Sequence, residues 1–130
     1  MEAACRGASE AGGTSLGVLF AGREDGNRWL TGRVREPDLA ARVTRLRDES
    51  NSWVFLPRGL GTMLELVWMA ESVVKGQAAP RPLVLLGDFW RPTIETALAE
   101  ASGPGRDGLA NSIRWASTPA EAVALALPPR

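Results

Sequence analysis

Four short apolar runs punctuate the chain: SLGVLF (15–20), SWVFLP (52–57), PLVLLG (82–87) and SIRWAS (112–117). Each carries Val, Leu, Ile or aromatic residues between turn formers, which is the pattern of a buried strand. Between the runs the spacing becomes helical. MEAACRGASEAGG (1–13) is a stretch of helix formers stopped by a glycine pair. Pro37 and Asp38 introduce DLAARVTRLRDES (38–50), where Leu39, Val43 and Leu46 recur on one face and Arg and Asp fill the others, predicting an amphipathic surface helix. From Thr62 to about Lys75 the pattern is apolar nearly all round, predicting a largely buried helix. RPTIETALAEA (91–101) predicts a further helix, and TPAEAVALAL (118–127) another, with Thr118 as N-cap, Pro119 in the first position and Glu121 in the third. AGREDGNRWLTGRVRE (21–36) and GPGRDG (103–108) read as polar loops.

Continuous apolar strands alternating with helices imply a mainly parallel sheet with right-handed crossovers, covered on both faces. The expectation is a Rossmann-like, three-layer α/β fold, one domain over residues 1–130, with the strands near 15–20, 52–57 and 82–87 as parallel neighbours. Composition narrows what such a fold could do. Fifteen basic and fifteen acidic residues cancel, so net charge gives no reason to expect nucleic acid or an anionic membrane as partner. Histidine is absent and Cys5 is the single cysteine, which excludes an internal disulfide, a His-based triad and the usual zinc sites, and no metal or cofactor is expected. Cys5 has no base partner in sequence and reads as inert. No apolar stretch approaches the roughly 20 residues of a membrane span, and the start lacks a basic-then-apolar leader, so a soluble cytoplasmic protein is expected.

The most informative stretch is FLPRGLGTMLEL (55–66). In a parallel α/β sheet, ligands lie beyond the carboxyl ends of strands, where loops enter helix amino termini. Arg58, Gly59, Leu60, Gly61 and Thr62 occupy such a corner. Glycines there let a phosphate approach unpaired backbone amides at the positive end of the helix dipole, and a Thr hydroxyl adds a donor. The same residues also suit a plain strand-to-helix turn with Thr62 as N-cap. Glu65 follows among Leu64, Leu66, Val67 and Trp68; a carboxylate in dry surroundings needs a partner or a purpose, whereas one facing solvent near a helix start needs neither. Of the five tryptophans, Trp53 and Trp115 read as core and Trp68 as lining a pocket or a dimer contact, while Asn27 and Arg28 read as ordinary loop residues.

LPRGLGTMLE resembles the PGGxGTxxE signature of the LOG (lonely guy) family of nucleoside 5′-monophosphate phosphoribohydrolases, once described as lysine decarboxylases. Pro57, Gly59, Gly61, Thr62 and Glu65 match. LAARV (39–43) falls where that family carries MHxRK and keeps only its Arg, as Arg42. MEAACRGASEAGGTSLGVL, PLVLLGDFWRPTIETAL and TPAEAV resemble the family's other helices and strands, so the likeness runs from Met1 to about Leu127. The resemblance implies hydrolysis of a nucleotide's N-glycosidic bond, with Glu65 stabilising positive charge at the ribose C1′ and Arg42 supplying a permanent cation. It implies an AMP-like nucleoside monophosphate or ribose 5-phosphate as ligand, bound at residues 58–62, and a homodimer. A carrier or sensor of nucleotides on the same fold is the alternative.

Three departures qualify it. Arg58 stands where the signature has Gly, and a positive φ there would cost a non-Gly residue about 1–2 kcal/mol. Ala40 and Val43 replace the upstream His and Lys. The family's leading strand, first Gly-rich turn and second strand have no counterpart before Met1, as expected of a shortened sheet or a piece of a longer protein.

Overall fold

The computed structural model describes residues 1–22, 25–100 and 105–127. The chain is α/β with parallel ladders throughout, consistent with the Rossmann-like expectation. It divides into two compact units, residues 1–49 and 50–130.

The first unit runs α1 (Glu2–Glu10), β1 (Leu16–Phe20), β2 (Gly32–Glu36) and α2 (Leu39–Asp48). α1 stops at the glycine pair. Gly12 takes a φ of 74°, and the amides of Gly12 and Gly13 close on the Ser9 and Ala8 carbonyls, satisfying the last carbonyls of the helix. β1 pairs in parallel with β2, Leu16 opposite Gly32 through Phe20 opposite Glu36. β1 was expected beside the strands near 52–57 and 82–87; its ladder partner is instead a segment read as loop. That segment escaped because GRVRE holds one apolar residue, Val34. Its strand character lies in alternation, half-buried at Gly32, Val34 and Glu36 and exposed at Arg33 and Arg35.

α2 starts where Asp38 accepts from the Ala41 amide at 2.8 Å, and it packs on β1 and β2. Val43 is 1% exposed, whereas Leu39, the first residue of the expected stripe, lies at the surface. Glu36 on β2 binds the Arg45 guanidinium at 2.6 Å, and Glu49 adds a second contact at 2.9 Å. The hydrogen bond that Arg45 donates to Glu36 is the main cause that raises Arg45 above its ordinary pKa. Asn27 caps its own loop, accepting from the Trp29 amide at 2.9 Å, and Arg28 lies over the Trp29 ring. Both are loop residues, as expected. Cys5 is buried on α1.

The second unit runs β3 (Trp53–Phe55), α3 (Leu60–Val74), β4 (Leu83–Leu86), α4 (Arg91–Glu100), α5 (Gly105–Ser112), β5 (Ile113–Ala116) and α6 (Pro119–Ala126). Its sheet has the order β3-β4-β5, all parallel, with Trp53 opposite Leu83 and Leu83 opposite Ile113. β4 is central, paired along both edges, and both of its faces are covered, since the successive residues Leu83, Val84 and Leu85 are fully buried. Burying each such side chain contributes about 1.5–3 kcal/mol. On one face Val84, Ala116 and Ala122 form a small-residue cluster that seats α6. Thr118 caps α6 by accepting from the Glu121 amide, and Glu121 reaches back to the Ser117 amide at 2.7 Å.

α3 packs against α5. Its inward stripe is Leu66, Met69 and Val73, all 3% exposed or less. The opposite stripe, Leu60, Leu64 and Val67, is exposed, so α3 is not buried all round as its composition suggested. Residues 103 and 104 of the segment read as an exposed loop lie outside the described residues, but from Gly105 onward the chain is helical. Helix is possible there because glycine lets the start of α5 meet the end of α3. A Cβ on Gly105 would overlap the Val74 carbonyl, lying 2.6 Å from its carbon. Among the described residues no helix is long and apolar enough to cross a membrane.

Candidate functional site

The corner between β3 and α3 lies beyond the carboxyl end of a parallel strand, where a ligand is met by helix N–H groups. α3 begins two residues earlier than the apolar pattern suggested. Gly59 is the N-cap, with φ −82° and ψ −158°, and Leu60 is the first helical residue. Thr62 is therefore the third residue of the helix and not its cap. A glycine cap brings no side-chain acceptor, so the first amides depend on the Gly59 carbonyl alone. That carbonyl receives Thr62 at 3.1 Å and Met63 at 3.2 Å. The amides of Gly59, Leu60 and Gly61 and the hydroxyl of Thr62 have no hydrogen-bond partner among the described residues.

Neither signature glycine is required by backbone dihedrals, because positive φ occurs at Gly12, Gly22, Gly26, Gly76 and Gly87 and not at Gly59 or Gly61. Nor are they required by packing: a Cβ built on either meets nothing within 4 Å. Both Cβ positions face open space, and among the described residues the amides of Gly59, Leu60 and Gly61 beside them are unengaged. Arg58 likewise has no positive φ, so the strain expected of it does not arise. It is exposed, and among the described residues it makes no hydrogen bond or ion pair. A cation next to a helix amino terminus opposes the dipole by about 0.3–1 kcal/mol. An anion bound between the two would relieve that repulsion.

Glu65 lies three residues beyond Thr62 and four beyond Gly61, which puts it on the same face of α3 one turn from the open amides. It is half-buried, not enclosed in the dry surroundings expected, because Leu64 and Val67 on either side of it are exposed. Trp68 is one turn further; it is half-buried, and its buried indole nitrogen has no hydrogen-bond partner among the described residues. Arg58, Gly59, Leu60, Gly61, Thr62 and Glu65 thus share one helix end. Arg42 belongs to the first unit. Its Nε donates to the Val18 carbonyl of β1 at 2.8 Å, so it turns inward to the sheet instead of lying free in solvent.

Phe89, which the sequence reading passed over, and Trp90, one of the five tryptophans weighed there, complete the end of the sheet in the second unit. Trp90, 2% exposed, donates its indole N–H to the Leu56 carbonyl at 3.2 Å, tying the loop after β4 to the corner after β3. Phe89 packs on Trp90 edge to face, with centroids 4.8 Å apart and planes at 88°, yet is itself 58% exposed. The signal was present in GDFWR directly after an apolar strand, at the end of the sheet where ligands bind. Arg91 follows, bound to Asp88 at 2.9 Å and lying over the half-buried Trp115 ring at 4.2 Å. The Asp88 carboxylate is the main cause that raises Arg91 above its ordinary pKa.

No curated protein matches the chain. A family model described as "Possible lysine decarboxylase" matches residues 1–125. That span takes in the glycine corner, Glu65 and Arg42. The chain therefore belongs to this family, the LOG-like group that its corner motif resembles.

Proposed function

We propose that the chain binds a nucleoside 5′-monophosphate by its phosphate at the amino end of α3 and hydrolyses the N-glycosidic bond. Water adds to C1′, the bond from C1′ to the base nitrogen breaks, and the base leaves with a proton, giving free base and ribose 5-phosphate. One observation carries the reading: among the described residues the amides of Gly59, Leu60 and Gly61, the Thr62 hydroxyl and the neighbouring Arg58 cation have no partner, and the Cβ positions of Gly59 and Gly61 face open space. Together they supply the donors and charge that a phosphate dianion takes up.

Glu65 is one helical turn away, and in this reading its carboxylate faces the charge that develops on C1′ as the base departs. A half-buried position suits that role, since a carboxylate screened by bulk water would stabilise the transition state less. Arg42 is assigned the permanent cation on its motif match. The chemistry in the family's description has less support. An amino-acid decarboxylase of the pyridoxal type needs a lysine beside its phosphate site, and the single lysine, Lys75, follows the last residue of α3. That is about 22 Å from the cradle at the usual helical rise. There it is exposed and paired with Glu71 at 3.5 Å. The cytoplasm is the compartment we assign. We also expect a homodimer, to which the exposed stripe Leu60, Leu64 and Val67 could contribute; light scattering gives the mass.

Titration with ribose 5-phosphate, followed by amide chemical shifts, tests the phosphate site. The amides of Gly59, Leu60 and Gly61 are expected to move first. Unmoved amides at millimolar ligand would remove the site from consideration.

A further inference from the structure

We infer that Phe89 is the stacking platform for the aromatic base of the bound nucleotide, an inference that rests on the nucleotide reading above. A large aromatic side chain left more than half exposed is costly in water, and Phe89 is 58% exposed while its ring packs at right angles on Trp90. Its loop is rigid. Gly87 turns at φ 73° with its amide on the Ala116 carbonyl, and the Arg91 amide closes on the Asp88 carbonyl at 3.0 Å. Arg91 adds its ion pair to Asp88 from the same turn. Trp90 is anchored in the core and packs at right angles to the Phe89 ring, more than half of which stays exposed.

Position selects the ligand. β3 and β4 are adjacent and parallel, with Phe55 opposite Leu85, so the loops after them emerge at the same end of the sheet. The Trp90 hydrogen bond to the Leu56 carbonyl then joins the Phe89 loop to the residue immediately before Pro57, Arg58 and the open amides. An aromatic face beside a phosphate cradle fits a molecule with both features, a flat base and a phosphate. A ribose 5-phosphate would use only the second. Because every base has a π face, stacking sets a preference for nucleotide over sugar phosphate without choosing strongly among bases.

The test compares AMP with ribose 5-phosphate by calorimetric titration of the whole chain and its Phe89→Ala, Phe89→Leu and Phe89→Tyr variants. Phe89→Ala is expected to weaken AMP about tenfold, the scale of one base-to-aromatic stack, and to leave ribose 5-phosphate unchanged. Phe89→Tyr keeps the ring and should retain AMP affinity. Phe89→Leu keeps apolar bulk without a π face and should behave as Phe89→Ala, which guards against a variant that merely disturbs the loop. Wild-type affinity for AMP in both ring-less variants, or equal loss for the two ligands, overturns the platform while leaving the phosphate site intact. Wild-type protein that binds neither ligand overturns both readings.

Discussion

Replacing Gly61 by Ala separates what the fold needs from what a ligand needs. Gly61 is the second residue of α3, has no positive φ, and would carry a Cβ that meets no atom within 4 Å. The substitution therefore adds no strain and no clash, and it removes backbone freedom from the unfolded chain. At such a site Gly→Ala stabilises by about 0.4–1 kcal/mol. For a chain of this size that raises Tm by about 2–5 °C. The same methyl group would occupy the open space over the helix amides and hold a phosphate off them, weakening it about tenfold or more, since about 1.4 kcal/mol is a factor of ten. Thermal melting and calorimetric titration with ribose 5-phosphate read the two effects on one sample. A lower Tm would show that the glycine is structural after all. A higher Tm with wild-type affinity would show that no anion comes to these amides.

Other substitutions test the packing. Gly105→Ala places a methyl group against the Val74 carbonyl where α5 starts on the end of α3, and should cost about 1–3 kcal/mol or more in urea unfolding; an unchanged midpoint would refute that close approach. Leu66→Ala empties a fully buried position and should cost about 2–5 kcal/mol, whereas Leu60→Ala at an 84% exposed position should stay within about 0.5 kcal/mol; similar losses from both would contradict the two-faced description of α3. Arg58→Ala should weaken ribose 5-phosphate and flatten the dependence of its binding on salt, an outcome checked by titration at low and high ionic strength.

Strands with continuous apolar runs were legible because burial on both faces writes itself as uninterrupted Val, Leu and Phe. β4 is the clearest case. β2 was not legible, since its cohesion comes from alternation around one valine and from charged side chains that reach the 25–27 loop, with Arg33 donating to the Asp25 carbonyl at 2.7 Å and to that of Asn27 at 3.1 Å. α5 was hidden behind glycines whose use is close helix contact, and from sequence a glycine that turns the chain looks the same as one that lets two helices touch. At the corner, residue identities indicated a phosphate site, but the start of α3 was misplaced because a glycine cap leaves no side-chain signature. The exposed stripe on α3 was misread for a related reason: apolar composition reports what could be buried and is silent on what is. Phe89 and Trp90 depended on the side-chain geometry of a loop, which no periodicity encodes.

Loss of the base from a nucleoside monophosphate with help from Glu65 is read by release of free adenine from AMP, compared between the whole chain and Glu65→Gln. The swap keeps shape and removes charge from a preorganised carboxylate, a change that typically costs about 3 kcal/mol of barrier, or a hundredfold or more in rate. Wild-type protein is expected to release adenine, Glu65→Gln to lose nearly all release while keeping Tm and AMP affinity, and Arg42→Ala to react more slowly. Wild-type rates in Glu65→Gln would contradict the assigned role. No release by folded wild-type protein that still binds AMP would contradict hydrolysis and mark a nucleotide carrier or sensor.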